Sequence, residues 1–175
     1  MPEALHEALS QGVLRMRTSS GFTIMELMFV LAIGAIVASI AVPSFSSWRS
    51  RAKLNSAARV LRGDLEMAKS RAMRENNFVA LKFVDANSYQ VFIDDGAGDG
   101  DPGDWILHAD EKLILNRKLP PGTTINLGAT TFPGDQNRFN SRGRIRYQGS
   151  VIIENSSGAQ KQIDIDNRFG RINVN

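Results

Sequence analysis

The sequence predicts an α+β fold in which a long N-terminal helix packs on an antiparallel domain, formed either by one sheet or by two packed sheets in a β-sandwich-like arrangement. Two observations support this prediction. Residues 27–42 contain no charged side chain, and apolar residues then recur at helical spacing to about residue 75. Beyond residue 77, short apolar runs alternate with Gly, Pro and Asn turns, which is typical of antiparallel strands. We therefore expect one helix followed by one domain of short strands.

The first half of the predicted helix, residues 22–45, is apolar and has the length of a membrane span, roughly 20 residues. Between Leu27 and Val42 the only polar side chain is that of Ser39. Glu26 is a charged residue inside this run, and a carboxylate near the middle of a bilayer costs about 2.5 to 3.5 kcal/mol. Because Glu26 is present despite this cost, we predict that it has a functional role.

The second half, residues 46–76, is predicted to be amphipathic. Trp48 lies where an aromatic ring would meet the membrane interface, and arginines occupy several faces beyond it. An apolar stripe recurs at spacings of four and three residues, which is the pattern of a helix that packs on a domain. Its members are Leu54, Ala58, Leu61, Leu65, Ala68 and Ala72.

Residues 77–175 are predicted to form the antiparallel domain. The runs at 78–84 and 88–93 flank the turn formers Asp85, Ala86 and Asn87, which predicts a hairpin. Pro-Gly and Ser-Gly turns separate the later runs. Further strands are expected at residues 105–108, 112–119, 123–127, 144–147, 151–154, 160–166 and 170–174.

Composition limits the possible functions. Of the 175 residues, about 125 remain for a single core once a leader and a membrane segment are set aside. The chain has no cysteine, so disulfides and thiol catalysis are excluded. The two histidines, His6 and His108, belong to no recognisable catalytic arrangement, and no nucleotide-binding glycine loop follows a strand. The sequence therefore predicts a protein that is not an enzyme.

Residues 21–27, GFTIMEL, carry a family resemblance. Followed by an apolar helix, they resemble the class III signal of type IV prepilins and of the pseudopilins of type II secretion. The resemblance implies that a prepilin peptidase cleaves between Gly21 and Phe22 and that the new Phe22 amine is N-methylated. It also implies that Glu26 meets the terminal amine of a neighbouring subunit in a filament. The alternative is an ordinary signal anchor with an isolated Glu.

The resemblance divides the chain at residue 21. It makes residues 1–21 a leader, which is polar and lacks the apolar core of a secretory signal peptide. Residues 16–21 would serve as a leader by themselves. We therefore expect that translation starts at Met16 or that the first fifteen residues are dispensable.

The C-terminal part resembles a narrower group. Residues 139–144, FNSRGR, and residues 167–172, NRFGRI, are similar to the turns and terminal strand of GspH/FimT-type minor pilins and pseudopilins. This resemblance implies a minor type IV pilin that helps to prime or cap pilus assembly with other minor and major pilins. The alternatives are a minor pseudopilin of type II secretion and a DNA-binding minor pilin in DNA uptake.

The same resemblance implies a single-pass protein of the inner membrane with its globular domain in the periplasm, and a place in the pilus or pseudopilus after assembly. The distribution of arginines alone would favour the opposite orientation, because basic residues follow the apolar segment. The orientation of a protein with a long exported domain depends less on the charges next to its membrane segment.

An acidic, glycine-rich stretch at residues 94–104 is a candidate calcium site, since hard cations prefer oxygen ligands. Its spacing does not match an EF-hand, and a solvated acidic loop is the alternative. No other cofactor is expected. The candidate ligands are Asp94, Asp95, Asp99, Asp101 and Asp104.

Basic residues concentrate between residues 112 and 147 and near the C-terminus, and such a face binds DNA phosphates in a salt-dependent manner. DNA-uptake pilins of the resembled group carry a Gly-Arg-x-Arg motif near the C-terminus. Residues 143–146 match it, whereas residues 170–173 lack the second Arg. The alternative is that these arginines face solvent or pair with acidic residues. The candidates are Arg142, Arg144, Arg146 and Arg171.

Overall fold

The computed structural model describes residues 21–98, 100–166 and 170–175. The predicted leader up to residue 20, including the Met16 start and His6, lies outside the described residues, as do the candidate ligand Asp99 and residues 167–169. Within the described ranges the chain forms one α-helix, eight strands and two 3-10 turns. This confirms the predicted α+β class.

Helix α1 spans Ile24–Glu75, in agreement with the sequence prediction. The chain divides into two compact units, Met1–Val42 and Pro43–Asn175, and α1 contributes to both. In the second unit, α1 buries the predicted apolar stripe together with two further residues, Ala57 and Asp64. Asp64 is a polar member that the apolar pattern did not reveal.

The first sheet has four antiparallel strands in the order β3-β2-β1-β5. The predicted hairpin forms its centre, with Val79 opposite Ile93 and Phe83 opposite Tyr89. The strands are β1 (Val79–Asp85), β2 (Ser88–Ile93), β3 (Leu113–Lys118) and β5 (Gln136–Phe139).

The second sheet also has four antiparallel strands, in the order β4-β6-β7-β8. Its inward positions are β-branched, as in Val151, Ile153 and Ile163, which suits packing on a pleated surface. The strands are β4 (Thr123–Ile125), β6 (Gly149–Asn155), β7 (Gln160–Asp166) and β8 (Arg171–Val174).

One hydrophobic cluster joins α1 to both sheets. It contains Leu61 and Leu65 of the helix, Val91 of the first sheet and Ile153 of the second, each at most 1% exposed. Ala80 and Phe92 are as buried but lie outside this cluster. Because successive side chains of a strand point to opposite faces, these two lie on the outer face of the first sheet. Since both are buried, a part of the chain other than α1 covers that face.

Two predicted strands are wrong. Residues 144–147 form only an isolated bridge, Phe139 to Ile145, because the buried side chain of Asn137 takes the place of a ladder partner. Its Nδ2 donates to the Tyr147 carbonyl at 2.8 Å and its Oδ1 accepts from the Tyr147 N–H at 3.2 Å. Residues 105–108 form no strand, and Trp105 has a φ of +71°, which lies outside the β region.

Strand β5 was missed by the sequence prediction. Its residues, QNRF, contain no β-branched side chain and follow a Pro-Gly turn, so they carry little strand signal. The strand forms because Asn137 and Phe139 are buried and because it pairs with β1 from Val79 to Lys82.

Candidate functional site

The apolar segment, residues 22–45, exposes its large side chains. Those from Phe22 to Phe45 are between 54% and 81% exposed, with Leu27 the least and Ile24 the most. Helix α1 is long and apolar enough to span a membrane, and within the described ranges no other helix is. Because water disfavours such a surface, this segment requires a bilayer or other apolar helices around it.

The Thr23 and Ser39 side chains in the segment form hydrogen bonds with the main chain of the helix. The Ser39 hydroxyl donates to the Ile36 carbonyl at 2.7 Å. Thr23 caps α1, because its Oγ1 accepts from the Glu26 N–H at 3.1 Å. Thr23 and Glu26 have the spacing of a capping box, a sequence signal that would have placed the helix start.

The Glu26 carboxylate is exposed and forms no ion pair within the described part of the chain. Its position in the first turn favours a negative charge through the helix dipole. Gly21 and Phe22 precede the helix in backbone without regular secondary structure, and apart from the chain neighbours no atom of the described residues lies within 4 Å of a Cβ built at Gly21. The predicted cleavage point is therefore accessible, and the roles of Gly21, Phe22 and Glu26 stay predictions.

The candidate calcium ligands are used within the protein. Asp94 is fully buried and accepts from the N–H groups of Gly103 at 2.8 Å and Trp105 at 3.3 Å. Asp104 accepts from the Ile106 N–H and contacts His108 Nε2 at 2.7 Å.

The other two candidate ligands within the described residues are Asp95 and Asp101, and they differ from Asp94 and Asp104. Asp95 accepts from the Ala97 N–H, and Asp101 is exposed. Among the described residues, no three acidic or imidazole groups converge as metal ligands. Calcium binding stays a prediction.

A second carboxylate, missed by the sequence analysis, organises the same loop. Glu111 is 6% exposed and accepts from the N–H groups of Gly96 and His108, both at 3.0 Å. Asp94 therefore ties the start of the loop at residues 94–111 to its middle, and Glu111 ties the end of the loop to Gly96 near its start. Burial raises the pKa of Asp94, and the nearby Glu111 adds to that effect.

Arg138 holds the 94–111 loop against the first sheet. Its guanidinium lies 4.4 Å from the ring centroids of both Phe78 and Trp105, and it donates to the Gly103 carbonyl. Trp105 in turn stacks on Tyr147 at 5.8 Å. Arg138 is opposite Ala80 in the sheet, so this stack lies on the outer face that the helix does not cover. Cation–π contacts and packing therefore keep an acidic loop ordered.

Three of the four candidate DNA-binding residues lie on one turn. Arg142, Arg144 and Arg146 are exposed, and the Asn140 side chain fixes the turn by accepting from the N–H groups of Arg142 and Arg144. Arg144 and Arg146 line a groove with Phe78, Arg138 and Asn140.

The fourth candidate, Arg171, is exposed and follows Gly170. The structure brings the two Gly-Arg turns together on α1. A side chain at Gly170 would collide with the Gly143 carbonyl oxygen, and one at Gly143 would lie 2.8 Å from Met73 Sδ. Lys69 Nζ donates to the Gly170 carbonyl at 3.0 Å. The sequence analysis quoted both motifs but could not show that they meet.

A buried polar group links α1 to the first sheet. The Asp64 carboxylate accepts two hydrogen bonds from Arg117, both at 2.9 Å, and one from the Tyr89 hydroxyl at 2.6 Å. Burial and this carboxylate raise the pKa of Tyr89. Arg117 lies in the basic stretch between residues 112 and 147, and its bidentate pairing with Asp64 gives it a structural role.

Comparison with known families agrees with this geometry. The family described as Type II transport protein GspH matches residues 57–168, and the prokaryotic N-terminal methylation motif matches residues 16–42. An apolar N-terminal helix with this motif, packed on two antiparallel sheets, defines a type IV pilin-like protein. The chain belongs to the GspH family. Its family and fold are those of structural pilins and pseudopilins.

Individual relatives support the same class. The pilin-like protein PilA1 of Thermus thermophilus is 37% identical over 115 residues, which are 66% of this chain and 61% of that protein. The minor pilin FimU of Pseudomonas aeruginosa shares the fold with a TM-score of 0.53 and 15% identity over 70% of this chain and 92% of its own. The minor pseudopilin EpsH of Vibrio cholerae has a TM-score of 0.52 and 13% identity over 70% and 96%.

Proposed function

We propose that the protein is a minor type IV pilin that helps to prime or cap pilus assembly. Residues 1–21 act as the leader, residues 22–45 as the membrane and filament segment, residues 46–76 as the amphipathic half of the helix, and residues 77–175 as the exported domain. Before assembly the chain is held in the inner membrane with that domain in the periplasm.

The observation that carries this proposal is the exposed apolar segment with Glu26 near its start. A single carboxylate inside an apolar membrane segment is costly in lipid, and it is stabilised when a cation pairs with it. Removal of the leader by a prepilin peptidase would create a cation, the N-methylated Phe22 amine of a neighbouring subunit. Charge pairing between subunits then accounts for a Glu in an otherwise apolar surface.

A minor pseudopilin of type II secretion is the alternative. The name of the pilin-like relative from Thermus thermophilus favours a pilus, whereas the name of the matched family favours secretion. The helix and its processing would serve either machine. Deletion of the gene separates them: loss of pili and twitching with normal export of hydrolases supports the pilin, and the reverse result supports the pseudopilin.

Glu26→Gln tests the role of the carboxylate in assembly. We expect the variant to be processed and to reach the membrane but to be absent from sheared filaments, since the terminal amine of the neighbour loses its partner. Ser39→Ala, an uncharged change in the same segment, is the matched control and should assemble normally. Incorporation of Glu26→Gln at the normal level, or residues ahead of Phe22 in the mature chain, would contradict the proposal.

DNA binding is a second candidate, and one observation favours it. The groove lined by Phe78, Arg138, Arg144 and Arg146 presents the exposed guanidinium groups of Arg144 and Arg146 side by side, which suits a phosphate backbone. The full chain in detergent should shift duplex DNA at low salt, and Arg144→Gln with Arg146→Gln should abolish the shift. Lys112→Gln with Lys161→Gln removes equal charge elsewhere as the control. No shift by the unmodified chain would reject this function.

A further inference from the structure

A polar cleft lies in the second unit at the beginning of its part of α1. It has a volume of about 330 Å³, within the range of small-ligand sites. The helix contributes Ser46, Arg49, Ser50 and Lys53, at spacings that place them on one face. The opposite wall consists of Pro121, Gly122 and Ser156.

The wall opposite the helix is held in place by main-chain bonds. The Thr123 N–H donates to the Pro120 carbonyl at 3.1 Å, and the Ser156 N–H donates to the Gly122 carbonyl at 3.1 Å. Lys53 Nζ donates to the Pro121 carbonyl at 3.2 Å, which places its ammonium at this wall. The cleft is therefore bounded on both sides by ordered backbone.

The chemistry of the lining suits a phosphate ester. Two cations and three serine hydroxyls of the lining can donate hydrogen bonds, and no carboxylate among the described residues lines the cleft. Arg49 forms no ion pair within the described part of the chain. Guanidinium and ammonium groups together with hydroxyls are the donors that bind phosphate oxygens most strongly.

The position of the cleft indicates where that phosphate would come from. Ser46 follows directly on the apolar segment, and the exposed rings of Phe45 and Trp48 lie near it with their centroids 5.8 Å apart and their planes tilted by 33°. Aromatic rings of this kind gather at the level of lipid headgroups. We infer that the cleft binds the phosphate headgroup of an anionic phospholipid while the chain is anchored in the membrane. This inference rests on the anchored state in the proposed function.

The experiment measures lipid preference next to Trp48. The full chain carrying Trp105→Phe, so that Trp48 is the remaining tryptophan, is placed in phosphatidylcholine nanodiscs. These contain a trace of acyl-pyrene phosphatidylglycerol or acyl-pyrene phosphatidylcholine. Energy transfer from Trp48 should show a preference of roughly 25-fold for the anionic lipid, since each of the two basic residues of the cleft contributes about a factor of five.

Arg49→Gln and Arg51→Gln form a matched pair, because both arginines are exposed and lie two positions apart but only Arg49 lines the cleft. We expect Arg49→Gln to lose most of the preference and Arg51→Gln to keep it. Ser46→Ala with Ser50→Ala, which leaves the charge unchanged, should also weaken it. An equal loss in the two arginine variants would assign the effect to general surface charge and overturn the inference.

The remaining outcomes distinguish a lipid headgroup from the other possible occupants of the cleft. Micromolar binding of inorganic phosphate to the chain in lipid-free detergent would assign the cleft to free phosphate and reject the lipid. Loss of filament incorporation in Arg49→Gln with unchanged lipid preference would assign it to a carboxylate of a neighbouring subunit. Equal transfer to both lipids overturns the headgroup inference alone, whereas no transfer to either lipid shows that the proposed membrane anchor itself has failed.

Discussion

Asp94 is a carboxylate without exposed surface, held by backbone N–H groups of Gly103 and Trp105 and 3.7 Å from Arg138. Burial removes it from water and raises its pKa, which the hydrogen bonds and Arg138 only partly oppose. At the residue scale, the acidic loop is therefore ordered by an acid that is costly to ionise. By sequence Asp94 is a candidate calcium ligand, and that role stays a prediction; in the structure its carboxylate accepts hydrogen bonds from the main chain of the loop.

The raised pKa predicts a pH dependence. The folded state binds more protons than the unfolded chain between the ordinary value of 3.8 and the higher pKa of folded Asp94. Stability therefore falls as pH rises through that window. Relative to Asp94→Asn, the unmodified chain should gain free energy of unfolding as pH is lowered through it, as measured by urea titrations at successive pH values.

Asp85 provides the contrasting control, because hydrogen bonds from Asn87 and Ser88 lower its pKa. The stability contributed by Asp85 is present above its ordinary pKa and is lost as pH falls through the lower, folded value. The difference between the unmodified chain and Asp85→Asn should change with the opposite sign. The same pH dependence in both comparisons would contradict the assignment to Asp94.

Arg138 supports a second prediction at this scale. Arg138→Gln removes two cation–π contacts and the bond to the Gly103 carbonyl, and should cost about 2 kcal/mol. Amide hydrogen exchange should accelerate across residues 100–111, because these residues lose their attachment to the sheet. Arg144→Gln, at an exposed arginine of the neighbouring turn, should leave exchange unchanged. Equal protection in both variants would contradict the role of the stack.

At the scale of elements, α1 is the surface on which distant turns meet. Lys69 and Met73 contact the turns at Gly143 and Gly170, which are 27 residues apart in the sequence but adjacent in space. Both glycines have positive φ, +70° and +57°. Their small size permits the close approach, and their backbone conformation permits the turns. This contact joins the turn that precedes β8 of the second sheet to the turn that follows β5 of the first sheet.

Gly170→Ala tests this close approach. The change adds a Cβ where the Gly143 carbonyl lies and also strains the backbone, so it should cost about 3 kcal/mol. Gly158→Ala is the control, because Gly158 has φ of +79° with nothing within 4 Å and should cost about 1 kcal/mol for the backbone alone. Chemical unfolding measures both. Equal losses would show that crowding at Gly170 contributes nothing.

At the scale of the whole molecule, the two parts of the chain have different requirements. The second unit, Pro43–Asn175, encloses the hydrophobic cluster that joins α1 to both sheets. The apolar segment is exposed and requires an environment that the chain does not provide. Folding and assembly therefore depend on separate sets of residues on one helix.

Leu65→Ala should separate these requirements. Leu65 has no exposed surface, so its truncation should cost about 2 to 5 kcal/mol and make the second unit sensitive to protease. The variant should still fractionate with membranes, because the apolar segment is unchanged. Val60→Ala, at a side chain that is 41% exposed, should retain protease resistance. Loss of membrane association by Leu65→Ala would contradict this separation.

Features that depend on residues close together in the sequence could be predicted from the sequence. Apolar spacing predicted α1 to its last residue, and alternation around residues 85–87 predicted the hairpin of β1 and β2. The motif at residues 21–27 identified the class of protein, which the family comparisons confirm. These succeed because periodicity and motif spacing are local properties of the chain.

Only the tertiary structure decided which polar groups would be paired. The Asn137 side chain replaces a strand partner for Tyr147, Asp64 holds Arg117 and Tyr89, and Arg138 is enclosed by aromatic rings. Each partner lies far away in sequence, and a side chain shows no preference among distant partners until folding brings one within reach and excludes water. The sequence by itself determined the helix, the hairpin and the class of protein, while packing decided how its charged residues are used.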